Sequence, residues 1–188
     1  MRVFVDTNVL FPFSIMDLML ALTESSVHEI VWSDRLLSEW ERVIVREQQR
    51  SAESAAVVTR AIRRFFAECE IVESAYAHLV DEMPGADPDD RHHAAAAVAA
   101  RAGALITWNL DDFPVGAMAE RGVHVLDPDT YLCDLYDEWP REVFDTVIQL
   151  AAEKRNPPVA VREAVVRLDK AGVPRFADLL LRTMGRGG

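Results

Sequence analysis

Short apolar runs alternate with longer amphipathic segments over the first two thirds of the chain. Five brief runs are rich in β-branched and other apolar side chains and are bounded by polar residues, which is typical of short strands. These runs are residues 3–5, 29–32, 69–72, 105–107 and 123–126. Segments with helical periodicity lie between them, at residues 15–22, 33–48, 51–66 and 88–100. This alternation predicts an α/β sandwich around a parallel sheet.

The last third of the chain shows no strand pattern. Residues 140–152, 159–170 and 175–184 are predicted helices, separated by an Asn-Pro-Pro and a Gly-Val-Pro segment. We therefore predict two regions. Residues 1–130 form an α/β domain whose parallel sheet has about five short strands, and residues 131–188 form a C-terminal helical extension.

The composition is that of an ordinary globular domain. The chain has 188 residues, half of them hydrophobic, which is enough for a core without disulfide bonds. Cys69 and Cys133 show no metal-ligand spacing, and reduced packing thiols are typical of the cytoplasm. No apolar run approaches the roughly 20 residues that span a bilayer, and the first residues do not resemble a signal peptide. We expect a soluble, cytoplasmic protein with no membrane partner.

The net charge of −11 restricts the possible partners. A protein that binds nucleic acid tightly usually shows a basic stripe, because phosphate contacts supply much of the affinity. This chain as a whole does not show such a basic stripe. Its acidity is compatible with a substrate other than nucleic acid, with an acidic metal site, or with a basic protein partner, and charge alone does not decide among them.

Acidic side chains follow or precede the predicted strands at the same edge of the sheet. Asp6 ends the first strand, and Asp90 stands in the first turn of the helix before the fourth strand, after an Asp87-Pro88 start signal. Asn109 and Asp112 follow the fourth strand. Clustered carboxylates repel one another, and Mg²⁺ or Mn²⁺, which prefers oxygen ligands, would relieve that repulsion. The pattern favours an acidic metal site for phosphoryl chemistry.

A further carboxylate comes from the helix predicted at residues 33–48. Glu39 and Glu41 lie on opposite rims of its apolar stripe, each about 40° from an apolar neighbour. Either side chain could reach an adjacent cleft, and helical geometry does not choose between them.

Four motifs occur in a defined order along the chain. They are Asp6-Thr-Asn8 after an apolar strand, Glu39 on the second helix, Asp90 before an alanine-rich helix, and Thr107-Trp-Asn-Leu-Asp-Asp-Phe113. Together they resemble a PIN domain and are most similar to the VapC-type toxin ribonucleases of bacterial toxin–antitoxin pairs. The resemblance covers residues 1–130 and leaves the helical extension outside the common core. It implies a PIN-like three-layer α/β/α sandwich.

The resemblance also implies a function and a set of site residues. The function is Mg²⁺- or Mn²⁺-dependent hydrolysis of RNA by a toxin that a cognate antitoxin inhibits, in a protein that commonly dimerises. The catalytic and metal-binding acids map to Asp6, Glu39, Asp90 and Asp112. The residue two after Thr107, often Asp in the family, is Asn109 here. Many relatives read Thr-x-Asn-x-x-Asp-Phe in this stretch, which favours Asp112 as the fourth acid and leaves the second metal position open. Thr7 and Asn8 would orient Asp6 or a bound water.

Simpler interpretations exist for each of these residues. Asp6 could be a turn residue, Glu39 a solvated rim residue, and Asp90 a partner of the helix dipole. Two other functions are open. One is a phosphatase with Asp6 as covalent nucleophile, which usually needs Asp-x-Asp and a lysine, whereas this chain has Asn8 and no lysine before Lys154. The other is a degenerate, non-catalytic PIN-like binding module.

Overall fold

The computed structural model describes residues 1–47, 49–83, 85, 87–154 and 157–186, without the side chain of residue 186. Four strands form one sheet: β1 (Arg2–Val5), β2 (Glu29–Val31), β3 (Ala104–Ile106) and β4 (His124–Leu126). All pairings are parallel, in the order β2-β1-β3-β4. The helices of the first two thirds are α1 (Thr7–Leu10), α2 (Phe13–Glu24), α3 (Asp34–Arg46), α4 (Ala52–Phe65), α5 (Glu73–Tyr76), α6 (Pro88–Ala99) and α7 (Val115–Ala119). The predicted α/β architecture around a parallel sheet, followed by C-terminal helices, is confirmed.

The sheet has four strands where the sequence predicted about five. Residues 69–72 do not form a strand, because a 3-10 turn ends at Cys69 and α5 begins at Glu73. The short stretch between them still makes one parallel bridge, Trp32 to Glu70. In this bridge Trp32 donates its N–H to the Cys69 carbonyl at 3.1 Å and accepts from the Ile71 N–H at 2.8 Å. The segment is too short to extend this pairing.

The central strands are buried on both faces, as their unbroken apolar sequences predict. Val3, Phe4 and Val5 of β1 have no exposed surface, and β3 is equally enclosed. The alanine run of α6 is fully buried, and this helix packs on β1 and β3. Because alanine has the smallest apolar side chain, the helix backbone can approach the sheet closely, which brings the first turn of α6 to the edge where β1 ends.

The helix starts follow local capping signals. Ser33 accepts a hydrogen bond from the Leu36 N–H at 3.2 Å and Ser51 from the Ser54 N–H at 3.2 Å. Asp87 accepts from the Asp89 N–H at 2.8 Å, with Pro88 at the first helical position, as predicted. Asp90 therefore stands at the third position of α6.

The contacts within the chain group it into two compact units. The first comprises residues 1–11 and 29–126, and the second comprises residues 12–28 and 127–188. Helix α2 thus belongs with the C-terminal helices by its contacts. The predicted boundary at residue 130 stays a prediction.

The second unit is entirely helical in the part of the chain that is described. After α2 it contains α8 (Pro128–Glu138), α9 (Pro140–Glu153), α10 (Val161–Lys170) and α11 (Pro174–Arg186). The sequence predicted the last three and missed α8, although Asp127-Pro128 repeats the start signal seen at Asp87-Pro88. Asp127 indeed caps α8 by accepting from the Thr130 N–H at 2.9 Å. Among the described residues, none of the helices has the length and apolarity needed to cross a membrane.

Candidate active site

The site lies where the order of the strands reverses. The chain passes from β1 to β2 on one side and then to β3 on the other, so the carboxyl ends of β1 and β3 form a topological switch point, where open parallel sheets bind their ligands. Asp6 follows β1 directly and is 6% exposed. Its backbone N–H donates to the Ile106 carbonyl at 2.9 Å, which joins the two strand ends.

A single hydroxyl holds the Asp6 carboxylate in place. Thr107, the residue after β3, donates its hydroxyl hydrogen to Asp6 Oδ2 at 2.7 Å. The Thr107 oxygen accepts from Asn8 Nδ2 at 3.2 Å and from the Asn109 N–H at 3.0 Å. Asn8 Oδ1 in turn accepts from the Trp108 N–H at 3.2 Å. Asn8 thus acts on Asp6 through Thr107, and the segments that follow β1 and β3 converge on one buried oxygen.

We expect Thr107→Val to destabilise the protein by about 1–3 kcal/mol, since an isosteric methyl leaves a buried carboxylate and two donors without their partner. Thr107→Ser keeps the hydroxyl and is the matched control, with a smaller loss. Urea unfolding of the three proteins measures the difference. Equal stabilities for the valine and serine variants would contradict the role given to this hydroxyl.

The structure distinguishes the two candidate glutamates of α3. Glu41 accepts a hydrogen bond from the Thr59 hydroxyl at 2.7 Å, so it ties α3 to α4. Glu39 points the other way, and its Oε2 lies 3.3 Å from Nε2 of His93. Glu39 is therefore the glutamate on the side of Asp6.

His93 stands between two of the predicted acids. Its Nδ1 lies 3.4 Å from Asp6 Oδ1, its Nε2 faces Glu39, and its ring is 2% exposed. Neither nitrogen makes a hydrogen bond of good geometry. Burial alone would lower the pKa of His93, but the two carboxylates outweigh it and raise the pKa to about 9. In this arrangement an imidazolium offsets the charge of Asp6 and Glu39.

Asp90 and Asp112 form the other half of the acidic cluster. Partial burial, followed by the negative charges of Asp112, Asp87 and Asp6, raises the pKa of Asp90 to about 6. These carboxylates are therefore close enough to repel one another. Asp112 is exposed, in the loop at residues 108–112 that lines an open cleft of about 580 Å³.

The remaining predicted residues differ in their surroundings. Thr7 is buried, and its hydroxyl has no hydrogen-bond partner among the described residues. Asn109 is exposed and contributes its backbone N–H to Thr107 and its carbonyl to the Asp112 N–H at 3.1 Å. Whether Asn109 or Asp112 fills the fourth position stays open, and the water-orienting role of Thr7 stays a prediction.

The donor set matches a hard divalent cation in its chemistry. Asp6, Asp90, Glu39 and Asp112 offer carboxylate oxygens, and the negative charges of Asp112, Asp87 and Asp6 add to burial in raising the pKa of Asp90, a repulsion that such a cation would relieve. In the described part of the chain, no three His, Cys, Asp or Glu side chains already encircle a single point. Mg²⁺ does not need such a cage, because it binds through one or two carboxylates and keeps several waters. The residues present therefore fit the metal.

Comparison with known proteins identifies the family of this chain. A family model described as "PIN domain" matches residues 2–111, more than half of the sequence. The chain belongs to the PIN domain family. A second model, "VapC50 C-terminal domain", matches residues 128–182 and so covers most of the helical extension. The resemblance to a PIN domain stated from the sequence is confirmed.

A curated relative extends the comparison. It is the Mycobacterium tuberculosis (strain ATCC 25618 / H37Rv) protein "Putative ribonuclease VapC50", which is 32% identical over 98 residues. That match spans 52% of this chain and 57% of the relative. No solved structure matches the chain.

The sequence predictions missed His93 and underestimated Thr107. The neighbouring residue His92 faces another way, and its ring packs edge-on against Tyr76, with centroids 6.1 Å apart. A usable signal was present: His93 follows Asp90 by three residues, which places both on one helix face. Thr107 had no signal of its own beyond its place in the motif.

Proposed function

We propose that this PIN domain protein is a divalent-metal-dependent endoribonuclease that hydrolyses RNA phosphodiester bonds, and that it is the toxin of a type II toxin–antitoxin pair. The observation that carries the proposal is the Asp6 carboxylate, fixed by Thr107 at the switch point beside a second, partly buried carboxylate, Asp90. The word ribonuclease in the name of the M. tuberculosis relative supports the reaction class.

The proposed roles follow from the contacts. Asp6, Asp90, Glu39 and Asp112 would hold Mg²⁺ or Mn²⁺, which when bound supplies an activated water and offsets the charge that develops on the phosphate. Thr107 keeps Asp6 Oδ2 occupied, so Oδ1, which faces the His93 ring, is the oxygen that would reach a ligand. Asn8 fixes Thr107 and the loop that carries Asn109 and Asp112.

The test compares the two glutamates of α3. We expect the protein to cleave single-stranded RNA with Mn²⁺ and not with EDTA. Glu39→Gln should lower the rate about a hundredfold or more, a loss typical for a group that acts on the reacting centre. Glu41→Gln, a change two residues away on the same helix, preserves the acceptor for Thr59 and should leave the rate nearly unchanged. Equal rates for both variants would contradict the assignment of Glu39.

One observation favours a second candidate, a non-catalytic binding module. Among the described residues no ready-made three-ligand metal cluster is present, and His93 already offsets two of the acids. Isothermal titration with Mn²⁺ separates the candidates, since the enzyme requires binding at Asp6 and the module does not. Absence of Mn²⁺ binding at millimolar metal would favour the module.

The proposed partner is a cognate antitoxin. The net charge of −11 suits a basic inhibitor, because opposite charges speed association. A neighbouring gene for a small DNA-binding protein with a basic tail would support this partner. A cytoplasmic location and a homodimer remain predictions. Cell fractionation would test the location, and sedimentation would test the homodimer.

A further inference from the structure

One face of α3 carries a row of arginines that passes the candidate site. Arg35, Arg42 and Arg46 lie within about 60° of Glu39 around the helix axis, at 100° per residue. Along the helix, Arg35 lies on one side of Glu39, and Arg42 and Arg46 lie on the other. Arg42 and Arg46 are about 6 Å apart along the axis, at 1.5 Å per residue, a spacing comparable with that of successive phosphates in an extended strand.

Two of these arginines keep their charge available. Arg42 is exposed and donates from Nε to the Ser38 carbonyl of its own helix at 3.3 Å. No carboxylate among the described residues pairs with it. The Arg46 side chain is 72% exposed, and its ion pair among the described residues is with its neighbour Glu47, at 3.0 Å. Such an exposed pair is weak and can exchange partners readily.

The arginines line a cleft that reaches the site. Glu39, Arg42, Val43, Arg46 and Asp89 surround about 560 Å³ of open space. Asp89 is already paired with Arg35, which leaves Glu39 as the acid of this lining without an arginine partner among the described residues. Arg42 and Arg46 thus place two guanidinium groups against one such carboxylate, on a protein with 31 acidic and 20 basic side chains.

We propose that Arg42 and Arg46 bind consecutive phosphates of a single-stranded RNA and guide it along α3 to the acidic cluster. The proposal rests on the ribonuclease function and adds the path of the substrate. RNA is favoured over an acidic peptide because the cleft is lined at one end by Glu39, a residue of the proposed phosphoryl chemistry. A polyanion on these arginines would thus present its neighbouring phosphate to the site.

The experiment measures binding without cleavage. A 5′-fluorescein-labelled single-stranded RNA of 12 nucleotides is titrated with the full chain in EDTA, by fluorescence anisotropy, between about 50 and 200 mM KCl. Each phosphate contact to a single strand contributes about 0.7 to the slope of log K against log salt. We expect the double variant Arg42→Gln/Arg46→Gln to bind about tenfold more weakly at low salt and to reduce the slope by about 1.4.

Arg101→Gln is the matched control. Arg101 is exposed and lies just before β3, at the opposite edge of the sheet from Asp6. We expect it to bind RNA as the wild type does. An unchanged affinity and slope in the double variant would overturn the proposal, and so would an equal loss in Arg101→Gln. Equally effective competition by polyglutamate of matched charge would show a general anion site and would also overturn it.

A separate assay keeps the two proposals distinct. RNA binding that depends on Arg42 and Arg46, together with no cleavage in Mn²⁺, would support the path and contradict the ribonuclease. Cleavage in Mn²⁺ together with unchanged binding by the double variant would support the ribonuclease and contradict the path.

Discussion

Replacing Asp6 by Asn is expected to reduce Mn²⁺-dependent cleavage of RNA by about a thousandfold or more, a loss of the size seen when a residue of a catalytic unit is removed. The asparagine has the same shape, and its carbonyl oxygen can still accept the hydrogen bond from Thr107. What it lacks is the negative charge at the buried end of β1. The loss therefore reports charge and not folding.

Two further measurements complete this prediction. Calorimetric titration should show at least a tenfold weaker affinity for Mn²⁺, and urea unfolding should show that the variant remains folded under the assay conditions although it loses the ion pair with His93. Asp17→Asn is the control, because Asp17 pairs with Lys154 in the helical unit and should leave cleavage unchanged. Cleavage that persists in Asp6→Asn and still requires metal would refute the role of this carboxylate.

The parts of the site that the sequence predicted depend on local signals. Asp6 was found because a charge directly after a buried apolar run must lie at the end of a strand. Asp90 was found because Asp87-Pro88 fixes the start of α6, which sets the register of its first turn. Each inference needed only a few neighbouring residues, and the parallel sheet then placed both residues at one edge.

The parts that it missed depend on distant residues. The contact of Thr107 with Asp6 requires β1 and β3 to pair in the observed register, Val5 opposite Ile106. The place of His93 requires α6 to turn one particular face toward both Asp6 and Glu39, across three separate elements. The choice between Glu39 and Glu41 was likewise undecided until α4 supplied Thr59 as a partner for Glu41. Spacing along one helix contains none of this information.

A large loss of stability at acid pH is expected from His28 in the helical unit. This ring is buried, with Nε2 2.8 Å from the Met19 carbonyl and Nδ1 2.6 Å from the Tyr131 hydroxyl. A carbonyl can only accept, so Nε2 carries the hydrogen, and Nδ1 accepts from the Tyr131 hydroxyl. Burial lowers the pKa of His28 to about 4. The neutral ring is thus the form that the folded protein holds.

The direction in which stability changes with pH follows from the protons bound at residue 28. Between about pH 6.5 and 4 the unfolded chain binds a proton at residue 28 that the folded chain does not bind. The stabilising contribution of the neutral His28 ring is therefore fully present above pH 6.5 and is lost as the pH drops toward 4. The loss is about 3 kcal/mol, from 1.36 kcal/mol per pKa unit. Asp90 and His93, whose pKa values are raised, contribute slopes of the opposite sign. Wild type must therefore be compared with a variant at each pH.

His28→Gln makes this comparison, because its amide can donate to the Met19 carbonyl and accept from Tyr131 but does not titrate. The free energy of unfolding of wild type minus that of the variant, measured in urea, should decrease by about 3 kcal/mol from pH 7.5 to pH 4. His78→Gln removes an exposed histidine and should retain the wild-type profile. A wild-type-minus-His28→Gln difference that stays constant over this range would show that protonation of His28 does not oppose folding. The acid sensitivity of the helical unit would then have to come from its carboxylates, among them Asp127, whose pKa burial would raise but the hydrogen bonds from Thr130 lower.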